Sequence, residues 1–276
     1  MTTAHLLVVL IVLIALTFDF TNGFHDAANA IATTVATKAL KARHALILAA
    51  LGNLIGAFLS EGVAKTVGKG VIEVEQSNSG LVVVMAALLG AIAWNMLTWW
   101  FGLPSSSSHA LIGGLVGAAV ASGELVKWSG VVEKVAIPMV ISPLVGISCA
   151  FALTLLLQWI FRNSKRSKVG SGFKVGQIFS AAAMSVGHGL QDAQKTMGVI
   201  TLSLVVGGMH TGDSIPSWVK IAAAVAISLG TYSGGARIMK TLGKRMVEID
   251  PVRGFASQTV ASTVLFYMAI HLKAPI

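Results

Sequence analysis

The 276 residues are 55% hydrophobic and only 11% charged, and their mean hydropathy is +0.79. Soluble globular domains carry roughly 25% charged residues, so this composition excludes an ordinary soluble protein. The net charge of +9 would suit nucleic acid, but 13 of the 20 Lys and Arg lie in three short segments, 38–44, 162–174 and 237–253. Such clusters are typical of the cytoplasmic loops of membrane proteins, and no nucleic-acid partner is expected.

Apolar segments follow one another along the chain, and most are long enough to cross a hydrocarbon core of about 30 Å. In chain order they cover residues 4–21, 26–37, 44–60, 80–101, 104–122, 135–161, 175–207, 217–236 and 255–272. The sequence therefore predicts an all-α, polytopic membrane protein in the plasma or inner membrane. The first run lacks a basic start and a cleavage site, so we interpret it as a membrane helix and not as a signal peptide.

The basic segments orient these spans. If all three are cytoplasmic, the N-terminus and the connections 61–79, 122–134 and 208–216, which have no excess of Lys or Arg, lie outside. The directions of the spans then alternate consistently along the chain. A re-entrant pair near 104–122 is an alternative to two full crossings there.

Two stretches of the sequence resemble each other. Residues 22–30 read NGFHDAANA and residues 188–196 read HGLQDAQKT, so each places Gly before an Asp-Ala pair inside an apolar run. The first stretch leads to a basic loop and the second to a loop without Lys or Arg, so the motif crosses the membrane in opposite directions. This is the signature of an inverted repeat, which is characteristic of secondary transporters. We divide the chain into a first repeat (1–161), a basic cytoplasmic linker (162–174) and a second repeat (175–276).

Asp26 and Asp192 are the main candidates for function. A carboxylate at the centre of a membrane costs at least about 2.5–3.5 kcal/mol, so it needs a partner, a cation or a water-filled cavity. Asn29 and Lys195 each lie three residues beyond one Asp, on the same helix face. The preceding Gly predicts a helix break that would expose backbone groups able to bind ions. The alternative is a structural Asp192–Lys195 pair.

A third motif, GLPSSSSHA at residues 102–110, predicts the start of a helix. Ser hydroxyls beside free backbone N–H groups would form an anion site without a fixed charge, although an ordinary capped helix start is the alternative. Asn53 either lines the same cavity or bonds between helices. Asp19 is a further intramembrane acid, and His25 and His109 are either proton carriers or packing residues. Neither a metal-ligand cluster nor a nucleotide motif is found, and no cofactor is expected.

These motifs resemble the signatures of the inorganic phosphate transporter (PiT) family, bacterial type. The similarity is carried by GFHDAANAIA, GLPSSSSHALIGG and HGLQDAQKTMGVI, and it extends through GNLIGAFLSEGVAKTVGKGVI and DPVRGFASQTVAST. It covers nearly the whole chain. The resemblance implies uptake of inorganic phosphate coupled to Na⁺ or H⁺ through two inverted repeats with broken helices, and it leaves the coupling ion and a possible homo-oligomer open.

The resemblance also implies site residues. Phosphate would be bound by Ser105, Ser106, Ser107, Ser108, His109, Gln194 and Lys195. The coupling cation would be held at Asp26, Asn29 and Asp192, a possible sodium site, with Asn22, Gln191 and Asn53 nearby. Gln191 stands where the family usually has Asn, which alters the reach of the amide.

The spacing of the motifs predicts that the second repeat is incomplete. Pro104 lies 78 residues after Asp26, and Pro275 lies 83 residues after Asp192. The second Pro-Ser/Thr half-helix should therefore begin where this sequence ends. We expect a C-terminal truncation that lacks one half of the anion site.

Three alternatives to a phosphate carrier follow from the same residues. A sulfate or other oxyanion permease would use the same scaffold. An intramembrane Ser hydrolase would pair a Ser of 105–108 with His109, but the nucleophile-elbow pattern is absent. An anion channel would conduct without a cation gradient. We predict a transporter, not an enzyme.

Overall fold

The computed structural model describes residues 2–101, 103, 105–212, 214–245 and 249–275, with the backbone alone at 27–29, 166 and 234–245. These residues form a helix bundle with one short two-stranded sheet. The helices are α1 (Thr3–Ala36), α2 (Ala42–Gly56), α3 (Gly62–Lys69), α4 (Asn78–Phe101), α5 (Ser107–Ser122), α6 (Trp128–Val131), α7 (Ile137–Ile160), α8 (Arg166–Val206), α9 (Ser217–Arg245) and α10 (Pro251–Tyr267). Strands β1 (Ile72–Glu73) and β2 (Leu125–Val126) pair antiparallel. The π-helical turns Val132–Ala136 and Met268–Leu272 precede α7 and follow α10.

Four described helical runs are long and apolar enough to cross a membrane, namely α1, α4, Trp128–Ile160 and Pro251–Leu272. Large apolar side chains are exposed along the whole of α7, including Ile147 and Phe151. An apolar surface of this extent is unusual for a soluble monomer and suits contact with lipid. The predicted all-α, polytopic membrane fold is confirmed.

Helices α1 and α8 pack antiparallel, and this pairing organises the bundle. Val8 near the start of α1 contacts Gly207 at the end of α8. Asn22 bonds to Asp192 at 3.3 Å in the middle of both helices, and Thr37 donates to Gln177 at 2.6 Å near the start of α8. The two Asp motifs therefore run in opposite directions, as the sequence predicted.

The connections are sorted between the two ends of the bundle. At one end, the β1–β2 ribbon joins the connections before α4 and after α5, and Val206 contacts Gly80. At the other end, the rings of Phe161 and Phe173 are 5.4 Å apart, and Phe173 lies 5.3 Å from Phe255. We call these the ribbon end and the basic end, since the basic segments gather at the second. This grouping agrees with the predicted alternation of spans.

Helices α4 and α5 form a hairpin that enters and leaves at the ribbon end. Its tip, between Phe101 and Ser107, lies beside the middle of α1, where Trp99 stacks edge-on against Phe24 with centroids 5.6 Å apart. The pair is thus a hairpin that ends at the depth of the Asp motifs. Helix α4 runs away from the ribbon end and α5 runs back to it, so the directions predicted for segments 80–101 and 104–122 are preserved.

The predicted helix breaks at the motif glycines are wrong. Helix α1 runs without interruption from Thr3 to Ala36, through Gly23 and Asp26, so the predicted segments 4–21 and 26–37 are one helix. Helix α8 likewise passes through Gly189. The break lies instead between α4 and α5. The interior of a continuous helix satisfies its own backbone N–H and C=O groups, which is the stable arrangement inside a membrane.

Several predicted boundaries also shift. Helix α8 begins at Arg166, so most of the predicted linker 162–174 is helical, and α9 extends beyond residue 236 to Arg245. The connection 61–79 contains α3 and β1. Charged side chains at a helix end can extend beyond the apolar span, so hydropathy alone underestimates helix length.

The motif glycines serve close packing. A methyl group added at Gly23 would lie 2.3 Å from the carbonyl oxygen of Ile227, and one at Gly189 would lie 2.2 Å from that of Asn53. Small residues allow membrane helices to approach this closely, which increases van der Waals contact. The glycines therefore bring α1 against α9 and α8 against α2.

Two neighbouring glycines of α5 provide a test of this packing. We expect Gly114→Ala to destabilise the protein by about 1–3 kcal/mol, because overpacking forces the backbone apart. The added methyl group would lie 2.4 Å from the carbonyl oxygen of Ala87. Thermal unfolding in detergent measures the loss.

Gly113→Ala is the matched control, because nothing lies within 4 Å of its added methyl group. Alanine is the better helix former by about 1 kcal/mol, so this variant should unfold at the wild-type temperature or above it. Equal melting temperatures for the two variants would contradict the α4–α5 contact.

Candidate functional site

The candidate site lies where the Asp motifs of α1 and α8 face each other. Asn22 and Asp26 are one helical turn apart on α1, and His188 and Asp192 have the same spacing on α8. Asn22 Nδ2 donates to Asp192 Oδ2 at 3.3 Å. Asp26, His188 and Asp192 each offer a ligand atom, and these atoms lie within 4.8 Å of one another. The antiparallel packing thus gathers two carboxylates in one buried cluster.

The tip of the α4–α5 hairpin reaches this cluster. Ser107 Oγ lies 2.9 Å from Asp26 Oδ2 and 2.6 Å from Asn22 Oδ1, and its single proton can be donated to either oxygen. Ser107 is the first residue of α5, and the hydroxyl of the preceding Ser106 caps the helix by accepting from the His109 N–H at 3.3 Å. The N-terminal end of α5, with its partial positive charge, therefore points at the carboxylates.

Lys195 links the hairpin to α8. Its Nζ lies 2.7 Å from Asp192 Oδ1 and donates to Ser108 Oγ at 2.7 Å, while the residue is only 1% exposed. A buried ammonium is stable only when its hydrogen bonds and its charge are matched in this way. Lys195 therefore offsets the charge of Asp192, while Asp26 lies 2.9 Å from the Ser107 hydroxyl and 3.2 Å from the His25 ring.

His188 is oriented by bonds at both ring nitrogens. Nε2 lies 2.9 Å from Asp192 Oδ2, and Nδ1 lies 3.2 Å from Asn53 Oδ1. The Asn53 amide in turn donates to the Thr231 hydroxyl of α9 at 2.7 Å. Since both nitrogens lie within hydrogen-bond distance of an oxygen, Nε2 holds Asp192 in position and would bind a cation only after leaving that contact. The donors that could hold a cation here are carboxylate and amide oxygens, which suit a hard ion and not a soft transition metal.

The structure gathers only some of the predicted residues. Asp26, Asn22, Ser107, Ser108, Asp192 and Lys195 join one network, and Asn53 joins it through His188. Ser105 instead accepts from the Trp94 indole at 2.8 Å, and Gln191 donates to the Leu265 carbonyl at 3.5 Å. The side chain of Asn29 lies outside the described residues.

Gln194 has a role at the start of a neighbouring helix. Its Oε1 accepts from the Val63 and Ala64 N–H groups of α3 at 2.9 and 3.3 Å. These groups have no partner within α3, so Gln194 caps that short helix from across the bundle. Its Nε2 is buried and makes no hydrogen bond to any described residue.

His188 and Thr231 belong to this network but were not among the predicted site residues. The signal for His188 was present, because it lies four residues before Asp192 and therefore on the same helix face. Thr231 had no local signal. It enters the network only because α9 packs against α1 and α2.

The candidate site lies within a region that matches a known protein family. The model of the phosphate transporter family matches residues 22–276, which includes both Asp motifs and the Ser-rich hairpin. This chain belongs to the phosphate transporter family. The resemblance predicted from the motifs is therefore confirmed, and since the family consists of transporters, the hydrolase alternative is excluded.

Curated relatives in the phosphate transporter family are similar over most of the chain. A protein of Bacillus subtilis (strain 168), named a probable low-affinity inorganic phosphate transporter, is 46% identical over 97% of this chain and 81% of its own length. A protein of the same name from Mycobacterium leprae is 48% identical over 95% of this chain. The chain spans only 64% of that relative's length.

A solved structure, named "The sodium-dependent phosphate transporter", has the same fold. It superposes with a TM-score of 0.85 at 21% identity, and the match covers 98% of this chain and 86% of the other. At this identity the likeness establishes the fold.

Lys195 provides a test of the charge balance in this family member. We expect Lys195→Met to lower the free energy of unfolding by about 3–5 kcal/mol, because it leaves the Asp192 carboxylate buried without its cation. Thermal unfolding in detergent measures the change. The double variant Lys195→Met/Asp192→Asn should recover part of the loss.

Lys127→Met is the control, because it removes a lysine from an exposed ion pair instead of a buried one. Lys127 lies 3.3 Å from Glu73, and their side chains are 36% and 65% exposed. An exposed pair contributes about 1 kcal/mol or less, so this variant should be nearly neutral. Equal losses in the two lysine variants would show that Lys195 and Asp192 are not a buried pair.

Proposed function

We propose that this chain carries inorganic phosphate across the plasma or inner membrane, together with a coupling cation, by alternating access. The observation that carries the proposal is the 2.9 Å contact between Ser107, at the start of α5, and Asp26 of α1. It places a helix N-terminus suited to an anion beside a carboxylate suited to a cation. The family and the names of the relatives support phosphate as the cargo.

The proposed phosphate site lies at the N-terminus of α5. The first N–H groups of this helix have no partner within it, and Ser107 and Ser108 add hydroxyls. Two of the predicted ligands, His109 and Gln194, each carry a buried side-chain nitrogen without a hydrogen-bond partner among the described residues. Lys195 would turn one of its three donors toward the anion. In this proposal Ser105 and Ser106 contribute through the backbone, since their hydroxyls are engaged elsewhere.

The proposed cation site uses the oxygens of Asp26, Asp192 and Asn22. Asn29 belongs to the same proposal by its spacing from Asp26. Oxygen donors favour a hard cation over a soft transition metal. The solved structure of the same fold is named as sodium-dependent, so we propose Na⁺ as the ion at this site. Gln191 and Asn53 would then act from the periphery, and Asn53 would do so by holding His188.

The two sites are coupled by electrostatics. An oxyanion beside two acids in a medium of low dielectric constant is repelled unless a cation offsets the charge. Cation binding at Asp26 and Asp192 therefore raises the affinity for phosphate, and phosphate raises the affinity for the cation by the same factor. Cation and anion cross together for this reason.

The antiparallel motif helices support a division into two inverted repeats, 1–161 and 175–276, on either side of the basic segment 162–174. In alternating access the central site opens first to one side of the membrane and then to the other. Two oppositely oriented halves can produce these two states by exchanging their conformations around the site.

Removal of either carboxylate tests the coupling. We expect Asp26→Asn and Asp192→Asn to reduce Na⁺-driven phosphate uptake to background in proteoliposomes, because the cation then lacks its charged ligand. Uptake of labelled phosphate is measured under an imposed Na⁺ gradient and, separately, under a proton gradient. Competition by excess sulfate reports whether the site prefers phosphate to another oxyanion.

Glu73→Gln is the matched acid-to-amide control, since the Glu73 side chain is 65% exposed at the ribbon end. It should transport at the wild-type rate. Wild-type uptake in either Asp variant would refute the cation site, and wild-type uptake that needs no cation gradient would favour a channel.

The membrane orientation is tested by labelling introduced cysteines. We propose that the basic end is cytoplasmic and that the N-terminus and the ribbon end are outside. In a Cys149→Ser background, Ser129→Cys at the ribbon end should react with an impermeant maleimide in intact cells. Ser164→Cys at the basic end should react only after permeabilisation. Both serines are exposed, so the reverse pattern would overturn the orientation.

A further inference from the structure

Asp19 is a third acid on the contact between α1 and α8. It precedes Asp26 by seven residues, which is two helical turns, so both lie on one face of α1. Along the antiparallel pairing, Asn22 faces Asp192, and the next turn toward the ribbon end places Asp19 beside Thr196. Asp19 therefore lies one layer beyond the cation site and outside it.

The surroundings of Asp19 do not stabilise a charged carboxylate. Asp19 and Thr196 are both fully buried, and neither the Asp19 oxygens nor the Thr196 hydroxyl has a hydrogen-bond partner among the described residues. An ionised carboxylate buried without donors carries a large desolvation cost. Asp19 is thus a buried acid whose oxygens lack a donor, and the Thr196 hydroxyl of α8 lies beside it.

Charged neighbours do not relieve this cost. The charged groups of α8 that face Asp19 are Asp192 and Lys195, and Lys195 already contacts both Asp192 and Ser108 at 2.7 Å. Helix α4 has no titratable residue and α5 has only His109. In the described side chains of α9, the titratable groups are Lys220, which pairs with Glu61, and Tyr232.

The chemistry of the position selects a proton over a metal ion. A metal cation needs several oxygen ligands, whereas Asp19 and Thr196 together offer three side-chain oxygens. The carbonyl groups of α1 and α8 are engaged within two uninterrupted helices. A proton needs only one carboxylate oxygen, and the resulting O–H can donate to the Thr196 hydroxyl.

We propose that Asp19 and Thr196 form a proton site, separate from the cation site at Asp26 and Asp192. Asp19 binds the proton, and Thr196 accepts its hydrogen bond. The part that this proton plays in transport rests on the proposed function, but its presence on Asp19 does not. A carrier with both sites would respond to pH through Asp19 and to Na⁺ through Asp26 and Asp192.

Infrared difference spectroscopy of the purified protein tests the site without transport. A protonated buried carboxyl gives a C=O stretching band that shifts in D₂O. We expect this band in the wild type and its loss in Asp19→Asn. Asp26→Asn is the matched control and should keep it. Thr196→Val should move the band to higher frequency, because the carboxyl loses its hydrogen bond, and Thr196→Ser should restore it.

Several outcomes would overturn the proposal. It fails if the band is absent from the wild type, if it survives in Asp19→Asn, or if it is lost in Asp26→Asn instead. A carboxylate band that responds to Na⁺ and disappears in Asp19→Asn would show a metal-ion site at Asp19. The Thr196 variants keep the test decisive if Asp19→Asn does not fold, because an unshifted band in Thr196→Val also contradicts the site.

A transport measurement separates this proposal from the proposed function. In proteoliposomes we expect Asp19→Asn to retain Na⁺-dependent phosphate uptake and to lose most of its dependence on external pH. An unchanged pH profile would show that the proton on Asp19 does not take part in transport. Absence of uptake in the wild type would count against the proposed function and would leave the infrared result intact.

Discussion

The packing of two acidic helix segments against each other, in the middle of a bundle suited to a membrane, is the constraint on which the rest of the site depends. Helices α1 and α8 place Asp26 and Asp192 in one buried cluster, where repulsion between carboxylates is strong. Lys195 contacts one of them, the hairpin brings Ser107 to the other, and His188 fixes the position of Asp192. Each of these contacts lowers the cost of buried negative charge. Lys195 and His188 come from α8 itself, and Ser107 comes from the hairpin.

Much of this arrangement is visible in the sequence. The two Asp motifs, their opposite directions and the Ser-rich helix start follow from residue type, spacing and the distribution of Lys and Arg. The continuity of α1 and α8 does not follow, because a glycine beside an acid is compatible both with a broken helix and with close packing. The structure favours packing, since Gly23 and Gly189 lie directly against backbone carbonyl groups of neighbouring helices.

The sequence also cannot assign roles within a run of identical residues. Four consecutive serines look equivalent, yet Ser105 accepts from Trp94, Ser106 caps α5, Ser107 meets Asp26 and Ser108 meets Lys195. Their directions depend on the residue at which α5 begins and on the depth of the hairpin, and tertiary packing sets both. Gln194 is a similar case, because its cap on α3 joins segments separated by 130 residues or more.

The β1–β2 ribbon has a mechanical consequence for the hairpin. Because β1 precedes α4 and β2 follows α5, the ribbon fastens both arms at their base and leaves the tip without a covalent tie to the rest of the bundle. The hairpin then behaves as a lever, and the α5 arm that carries Ser107 has 16 residues and is about 24 Å long at 1.5 Å per residue. A rotation of a few degrees at the ribbon moves Ser107 by roughly 2 Å, enough to open its bond to Asp26. Stiffness at the base would therefore set how readily the centre of the protein opens.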